Sequence, residues 1–205
     1  LGQSQFGPWT FVPSSGGLVA SAQGVDATSR AVGVFQFSTG TSATGRAGIG
    51  QSPLSVSLRT GIQHRIAARV MVPTLSDATQ EFHFVCGLHD SVLTNGIFAP
   101  TNGVFFAYHR AAFGNFWSFH QTNNGASTNR VTTVPVVAGQ WITLEIEIEH
   151  GGAAPLVWSR IDGVLVDTVA LQLDATRTSG LGIRLTKSVG VTARSVFVDW
   201  IAHHQ

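Results

Sequence analysis

Between Gly139 and His150 the chain reads Gly-Gln-Trp-Ile-Thr-Leu-Glu-Ile-Glu-Ile-Glu-His. Ile142, Leu144, Ile146 and Ile148 alternate with Thr143, Glu145, Glu147 and Glu149. A repeat of two places one residue type on each side of an extended strand, whereas a helix would scatter it around its circumference. The segment is therefore expected to be a strand with one dry and one wet face. Downstream, Ile161-Asp-Gly-Val-Leu-Val predicts a hairpin, because Asp-Gly supplies the positive φ values of a tight two-residue turn. Asp162 and Asp167 are read as turn residues.

The rest of the 205 residues repeats this grammar. Strands are expected near 8–12, 17–23, 31–38, 44–49, 54–58, 62–72, 80–88, 103–109, 115–121, 130–134, 140–149, 156–161, 164–169, 181–187 and 193–202. Gly, Ser, Thr and Asn fill the connections, and Gln121–Asn129, the longest polar tract, is expected to be a surface loop. No stretch sustains an apolar helical repeat with caps, so helix should be minimal. No composition break, linker or repeat divides the chain. The prediction is one all-β domain over residues 1–205, a single β-sandwich of two antiparallel sheets.

Composition excludes several functions. A net charge of +1 offers no basic stripe for phosphates, so nucleic acid is not an expected partner. No apolar run approaches the roughly 20 residues of a membrane helix, so no membrane insertion is expected. The N-terminal Leu1–Trp9 lacks a charged region followed by an apolar one, and no signal peptide is expected. Cys86 is the sole cysteine. It cannot form an intrachain disulfide and reads as a small buried hydrophobe beside Phe82 and Phe84. The cations are eleven Arg and one Lys, Lys187. That is the bias of surfaces covered by protein partners, although a GC-rich coding sequence, which favours Arg codons, produces the same bias.

The order of the segments carries a family resemblance. Phe6–Phe11 is followed by Gly33–Gly48, Arg65–Pro73, Phe84–Asp90 and Asn102–Tyr108. Gly139-Gln-Trp141, Ile161-Asp-Gly163 and Val196–Ile201 complete the series. Across nearly the whole chain this resembles the concanavalin A-like lectin/glucanase jelly rolls found in bacteriophage structural proteins. The resemblance implies a jelly-roll fold whose last strand, Val196–Ile201, returns beside Trp9–Phe11. It also implies a place on a virion or its tail fibres, and the expected function is a non-enzymatic virion module, a capsid decoration, spike or tail/fibre component. Such a module would be assembled in the host cytoplasm into the extracellular virion, would form a homo-oligomer, and would have other virion proteins and a host surface glycan as partners. A carbohydrate-binding lectin module is the first alternative.

The second alternative is a glycoside hydrolase. Glu145-Ile-Glu-Ile-Glu149 resembles the acidic strand of laminarinase-type glucanases. The resemblance would make Glu145 the nucleophile and Glu149 the acid/base, with Glu147 in place of a central aspartate. Read from the residues alone, the glutamates pair across the sheet with arginines, Arg160 first. Arg65 and Arg69 lie on the wet side of their strand, as do Glu81 and His83 on theirs. If all these strands share a sheet, one face carries Arg65, Arg69, Glu81, His83, Glu145, Glu147, Glu149 and Arg160 as a ligand or subunit-contact surface. Trp117, His120 and Asn123 are candidates for a sugar-stacking corner. The eight histidines form no spaced metal set, with His203-His204 a frayed terminal pair. Asp26, Asp77, Asp90 and Asp174 are isolated, so no metal or cofactor is expected. Asp199 is expected to anchor Arg194 or a backbone amide.

Overall fold

The computed structural model describes residues 5–6, 9–11, 18–20, 34–52, 56–58, 61–90, 100–149, 155–173 and 178–205. In chain order the elements are β1 (Gln5–Phe6), β2 (Trp9–Phe11), β3 (Leu18–Ala20), β4 (Phe35–Ser38), β5 (Arg46–Gln51), β6 (Val56–Ser57), β7 (Gln63–Met71) and β8 (Glu81–His89). After β9 (Gly103–His109) come the single-turn α1 (Arg110–Phe113), β10 (Phe116–Asn123), β11 (Ala126–Pro135) and β12 (Trp141–Glu149). The chain ends with β13 (Leu156–Ile161), β14 (Val164–Ala170), β15 (Thr178–Val189) and β16 (Ser195–His204). The expected strand portions at 8, 12, 17, 21–23, 31–33 and 54–55, together with Asp26 and Asp174, lie outside the described residues.

The strands form two sheets, and the pairings within them are antiparallel. A nine-stranded sheet runs β1-β2-β5-β15-β8-β9-β10-β11, with β6 on β15, and a seven-stranded sheet runs β14-β13-β12-β7-β16-β4-β3. This is the predicted all-β sandwich, a concanavalin A-like jelly roll. One expectation fails: β16 pairs with β7 and β4, while β2 pairs with β1 and β5 in the other sheet. Val196–Ile201 therefore does not lie beside Trp9–Phe11.

The core sits between the sheets and is chemically two-layered. From the nine-stranded sheet come Phe82, Phe84, Phe106, Tyr108, Trp117 and Phe119, all buried. From the seven-stranded sheet come mainly branched aliphatics, among them Ile66, Val70, Ile142, Leu144, Ile146, Ile148 and Val196. Protein interiors are close-packed, and branched side chains suit the gaps that large rings leave. Cys86 shares this layer with Phe82 and Phe84, and burial pushes its thiol up to about 12. The Tyr108 hydroxyl accepts from the Ser76 amide at 3.0 Å and donates to Asn115 at 3.0 Å, so its burial leaves no hydroxyl unsatisfied.

Turn chemistry sets the register of the hairpins. Asp162 and Gly163 close β13–β14 at φ values of 50° and 77°, as their sequence predicts. The tract expected to be a long polar loop is instead a second tight hairpin. β10 runs to Asn123, Asn124 and Gly125 turn at φ 51° and 82°, and β11 begins at Ala126. Thr and Ser on an edge strand wet on both faces hid the alternation there.

The open side between edge strands β11 and β14 is fastened by side chains. The Gln121 carboxamide donates to the Ala170 carbonyl at 3.0 Å and accepts from the Gln172 amide at 2.9 Å, imitating a peptide unit. Arg130 reaches Asp167 at 3.2 Å on the same seam, so Asp167 is a strand residue tying the sheets rather than a turn former. At another end of the core Lys187 is buried, and its ammonium donates to the Gly40 carbonyl.

Gly87 lies in the middle of β8 at φ 149°, where a Cβ would stand 2.6 Å from the Val104 carbonyl oxygen and 2.7 Å from the Phe105 Cα. Neither backbone atom can move without disturbing the β8–β9 ladder. Gly87→Ala should therefore destabilise the domain by about 1–3 kcal/mol, measured as a lower denaturant midpoint at unchanged slope. A loss within error would show that the two strands can separate freely at this point.

Candidate functional site

Each sheet turns one face inward and leaves one outward face from which side chains can meet a ligand. On the seven-stranded sheet, period-two alternation sends Gln63, Arg65 and Arg69 outward from β7. It sends Trp141, Thr143, Glu145, Glu147 and Glu149 outward from β12, and Trp158 and Arg160 from β13. Register places Trp158, Glu147 and Arg65 in one row, and Arg160, Glu145 and Ala67 in the next.

The ion pairs run diagonally across these rows. Arg160 faces Glu145 but donates to Glu147 at 2.6 Å, and Arg65 faces Glu147 but donates to Glu145 at 2.7 Å. Gln63 adds a second donor to Glu147 at 2.6 Å. Long side chains reach a diagonal neighbour more easily than they fold onto the one directly opposite. Glu149 is exposed at the strand end. The Arg65 guanidinium is held above its usual range, chiefly by its hydrogen bond to Glu145.

A third ion pair extends the ladder to β16, where Arg69 donates to Asp199 at 2.8 Å. Asp199 sits at a bulge, because the β16–β7 register shifts between Val198 and Trp200. The bulge presents both Asp199 and Trp200 near Arg69, a common way for a strand to re-aim a side chain. The expected partner of Asp199, Arg194, pairs with Asp77 instead. The Arg69 guanidinium lies over the Trp141 ring at 5.2 Å, and Trp200 is 40% exposed. Three of the five tryptophans in the chain thus share this face. Among the described residues such paired exposed charges contribute about 0–1 kcal/mol each, so the ladder is more a patterned surface than a source of stability.

The remaining sequence candidates lie elsewhere. Strands β7 and β12 belong to one sheet and β8 to the other, so Glu81 and His83 do not join the arginines and glutamates. Trp117 is 1% exposed and points into the core, which removes it from any sugar-stacking corner. His120, three positions along β10, faces the opposite side of its sheet. The Asn123 amide donates to the Gln172 carbonyl. Asp90 binds the Thr101 and Asn102 amides and closes the β8–β9 connection, and Asp77 organises the turn through Thr79 and Gln80. His203 is no frayed end: it stacks on His64, with Nε2 3.1 Å from Nδ1. No group of three or more potential metal ligands gathers among the described residues.

The outward face of the nine-stranded sheet is enclosed rather than open. His83 and His109 lie ring against ring with centroids 3.6 Å apart, and His120 is stacked on Phe105 at 5.1 Å and met edge-on by Phe113 from α1 at 5.2 Å. Arg184 and His89 are buried on the same side. Burial pushes the His83, His89 and His120 imidazoles down to about 4, aided for His83 by the facing His109. Burial likewise lowers Arg184 to about 10, with Arg46 adding like charge.

Simple parity would have found several residues missed in the sequence. His89 follows His83 at even spacing, while Trp158 and Trp141 share parity with Arg160 and Glu145. The Asp199–Trp200 bulge has no such signature.

Residues 30–199 match the family described as "SO2946-like, C-terminal domain". The protein of unknown function SO2946 from Shewanella oneidensis MR-1 superposes with TM-score 0.65 at 13% identity, covering 95% of this chain and 77% of that one. An endo-1,3-beta-glucanase from Streptomyces sioyaensis gives TM-score 0.57 at 12% identity, over 92% and 75% of the two chains. The carbohydrate recognition domain of Emp47p gives 0.64 at 8%, over 97% and 88%. Comparison with curated protein sequences gives no match. These likenesses establish the concanavalin A-like fold, and they lend no support to the phage association that the sequence resemblance implied.

The buried imidazoles give the fold an acid side. Their folded-state values lie below the ordinary 6.5, so the unfolded chain binds more protons as pH falls. Stability should be level above about pH 6.5 and decline from there toward about 4. In pH-resolved thermal melts His120→Asn should flatten that decline; a slope equal to wild type would mean that His120 is not held neutral.

Proposed function

The chain belongs to the SO2946-like C-terminal domain family, and we propose that it is a carbohydrate-binding domain that holds its ligand on the open face of the seven-stranded sheet. The observation that carries this reading is the placement of Trp141, Trp158 and Trp200 on one outward face among planar, hydrogen-bonding side chains. Sugar rings present apolar C–H faces to aromatic rings and hydroxyl edges to carboxylates, amides and guanidinium groups. The ladder supplies both kinds of partner on a rigid support. Trp200, the most exposed of the three, is the principal platform, with Asp199 and Arg69 beside it. Similarity in fold to a carbohydrate recognition domain and to a glucanase supports a glycan ligand.

Binding is favoured over hydrolysis by the state of the glutamates. Glu145, the expected nucleophile, is engaged by Arg65, and Glu149, the expected acid/base, stands exposed at the strand end, whereas a glycosidase shelters its acid beside the scissile bond.

Affinity electrophoresis of the whole chain through gels containing laminarin, mixed-linkage β-glucan, xylan or alginate tests the reading. Retardation by at least one polysaccharide is expected, without release of reducing ends, and Trp200→Ala should remove it while the thermal midpoint stays unchanged. Equal mobility in all four gels would overturn the proposal, and so would retardation that Trp200→Ala leaves intact.

A further inference from the structure

The ladder face has a direction. Trp158 stands on β13 in the row of Glu147 and Arg65, and Trp200 stands on β16 in the row of Thr143 and Arg69. Three strand spacings and two same-face steps separate them, a diagonal of about 20 Å by standard sheet geometry. The row between holds Ala67 and Ala202, paired side by side on β7 and β16, and continues with Glu145 on β12 and Arg160 on β13. The alanines keep the β16–β7 half of this track low between Arg65 and Arg69, while its β12–β13 half passes over the ion-paired Glu145 and Arg160. The two rings thus stand at opposite ends of the track and on opposite sides of it.

The charges along the track are matched. Arg65, Arg69 and Arg160 are each committed to a carboxylate at 2.6–2.8 Å, and Glu149 adds a further acid at the margin. A polyanion would need cations not already neutralised by neighbours, and this face offers a balanced field instead. Uncharged hydroxyls, which accept from guanidinium and donate to carboxylate, fit the alternation of donors and acceptors.

Resting on the proposed function, we infer that the ligand is an internal segment of an extended, uncharged polysaccharide, several sugars long, lying along this track from Trp200, over the alanines and then the ion-paired Glu145 and Arg160, to Trp158. A single sugar or a chain terminus occupies only the Trp200 end. Longer ligands reach the second ring, and their affinity grows until the track is filled.

Isothermal titration with β-1,3- and β-1,4-linked gluco-oligosaccharides of one to six sugars, and with alginate oligomers of matching length, tests this. Affinity for the neutral series should rise about tenfold or more from disaccharide to hexasaccharide, since one added aromatic contact is of that order. Trp158→Gln should remove the gain at the long end, so that hexasaccharide binds no more tightly than disaccharide. Trp158→Phe should retain part of the gain, which separates loss of the ring from a fault in folding. Affinity independent of length, a hexasaccharide unaffected by Trp158→Gln, or preference for alginate would overturn the inference while leaving carbohydrate binding in place. No binding by any oligomer or polymer would overturn both.

Discussion

Everything in this domain follows from the requirement that two sheets bury one face each against the other. The seven-stranded sheet meets it with Ile142, Leu144, Ile146 and Ile148 on a single strand, and the nine-stranded sheet answers with an aromatic layer from Phe82 to Phe119. Fixing inward parity on β12 fixes outward parity at the same time, because a one-residue slip would exchange isoleucine for glutamate in the core. Core packing therefore dictates which charges and tryptophans share the outer surface.

The same dependence explains what could be read from the sequence. Alternation on β12, the Asp162-Gly163 turn and the inward position of Cys86 were legible, since each is set by neighbours in the chain. Sheet membership was not. Glu81 and His83 have the parity expected of them, yet β8 lies in the sheet opposite β12, and parity within a strand carries no information about which sheet the strand joins. The Asn124-Gly125 hairpin escaped notice because an edge strand wet on both faces has no apolar alternation, leaving only the turn dipeptide as a sign. Of the candidate site, Arg65, Arg69, Glu145, Glu147 and Arg160 were legible as a set, whereas Asp199 and Trp200 depend on a bulge that only the paired strands reveal.

The two outward faces solve different problems. One carries its polar groups in pairs at the surface, where water already satisfies most of their solvation and a ligand can compete for their hydrogen bonds. The other keeps imidazoles and a guanidinium away from water, so their neutral or partnered state is part of the folded structure itself. A surface of the first kind suits reversible contact with hydroxyl-rich partners. The second kind resists change, and its chemistry is tied to stability.

The burial of Lys187 has a consequence outside folding. It is the sole lysine of the chain, and its nitrogen is spent on the Gly40 carbonyl within the sandwich. All the other side-chain cations that keep their charge at neutral pH are guanidinium groups, which do not act as nucleophiles there. The folded domain consequently offers acylating agents, aldehydes and amine-directed cross-linkers no lysine to attack. Reagents of that class would pass over the tryptophan-bearing face and leave its chemistry intact.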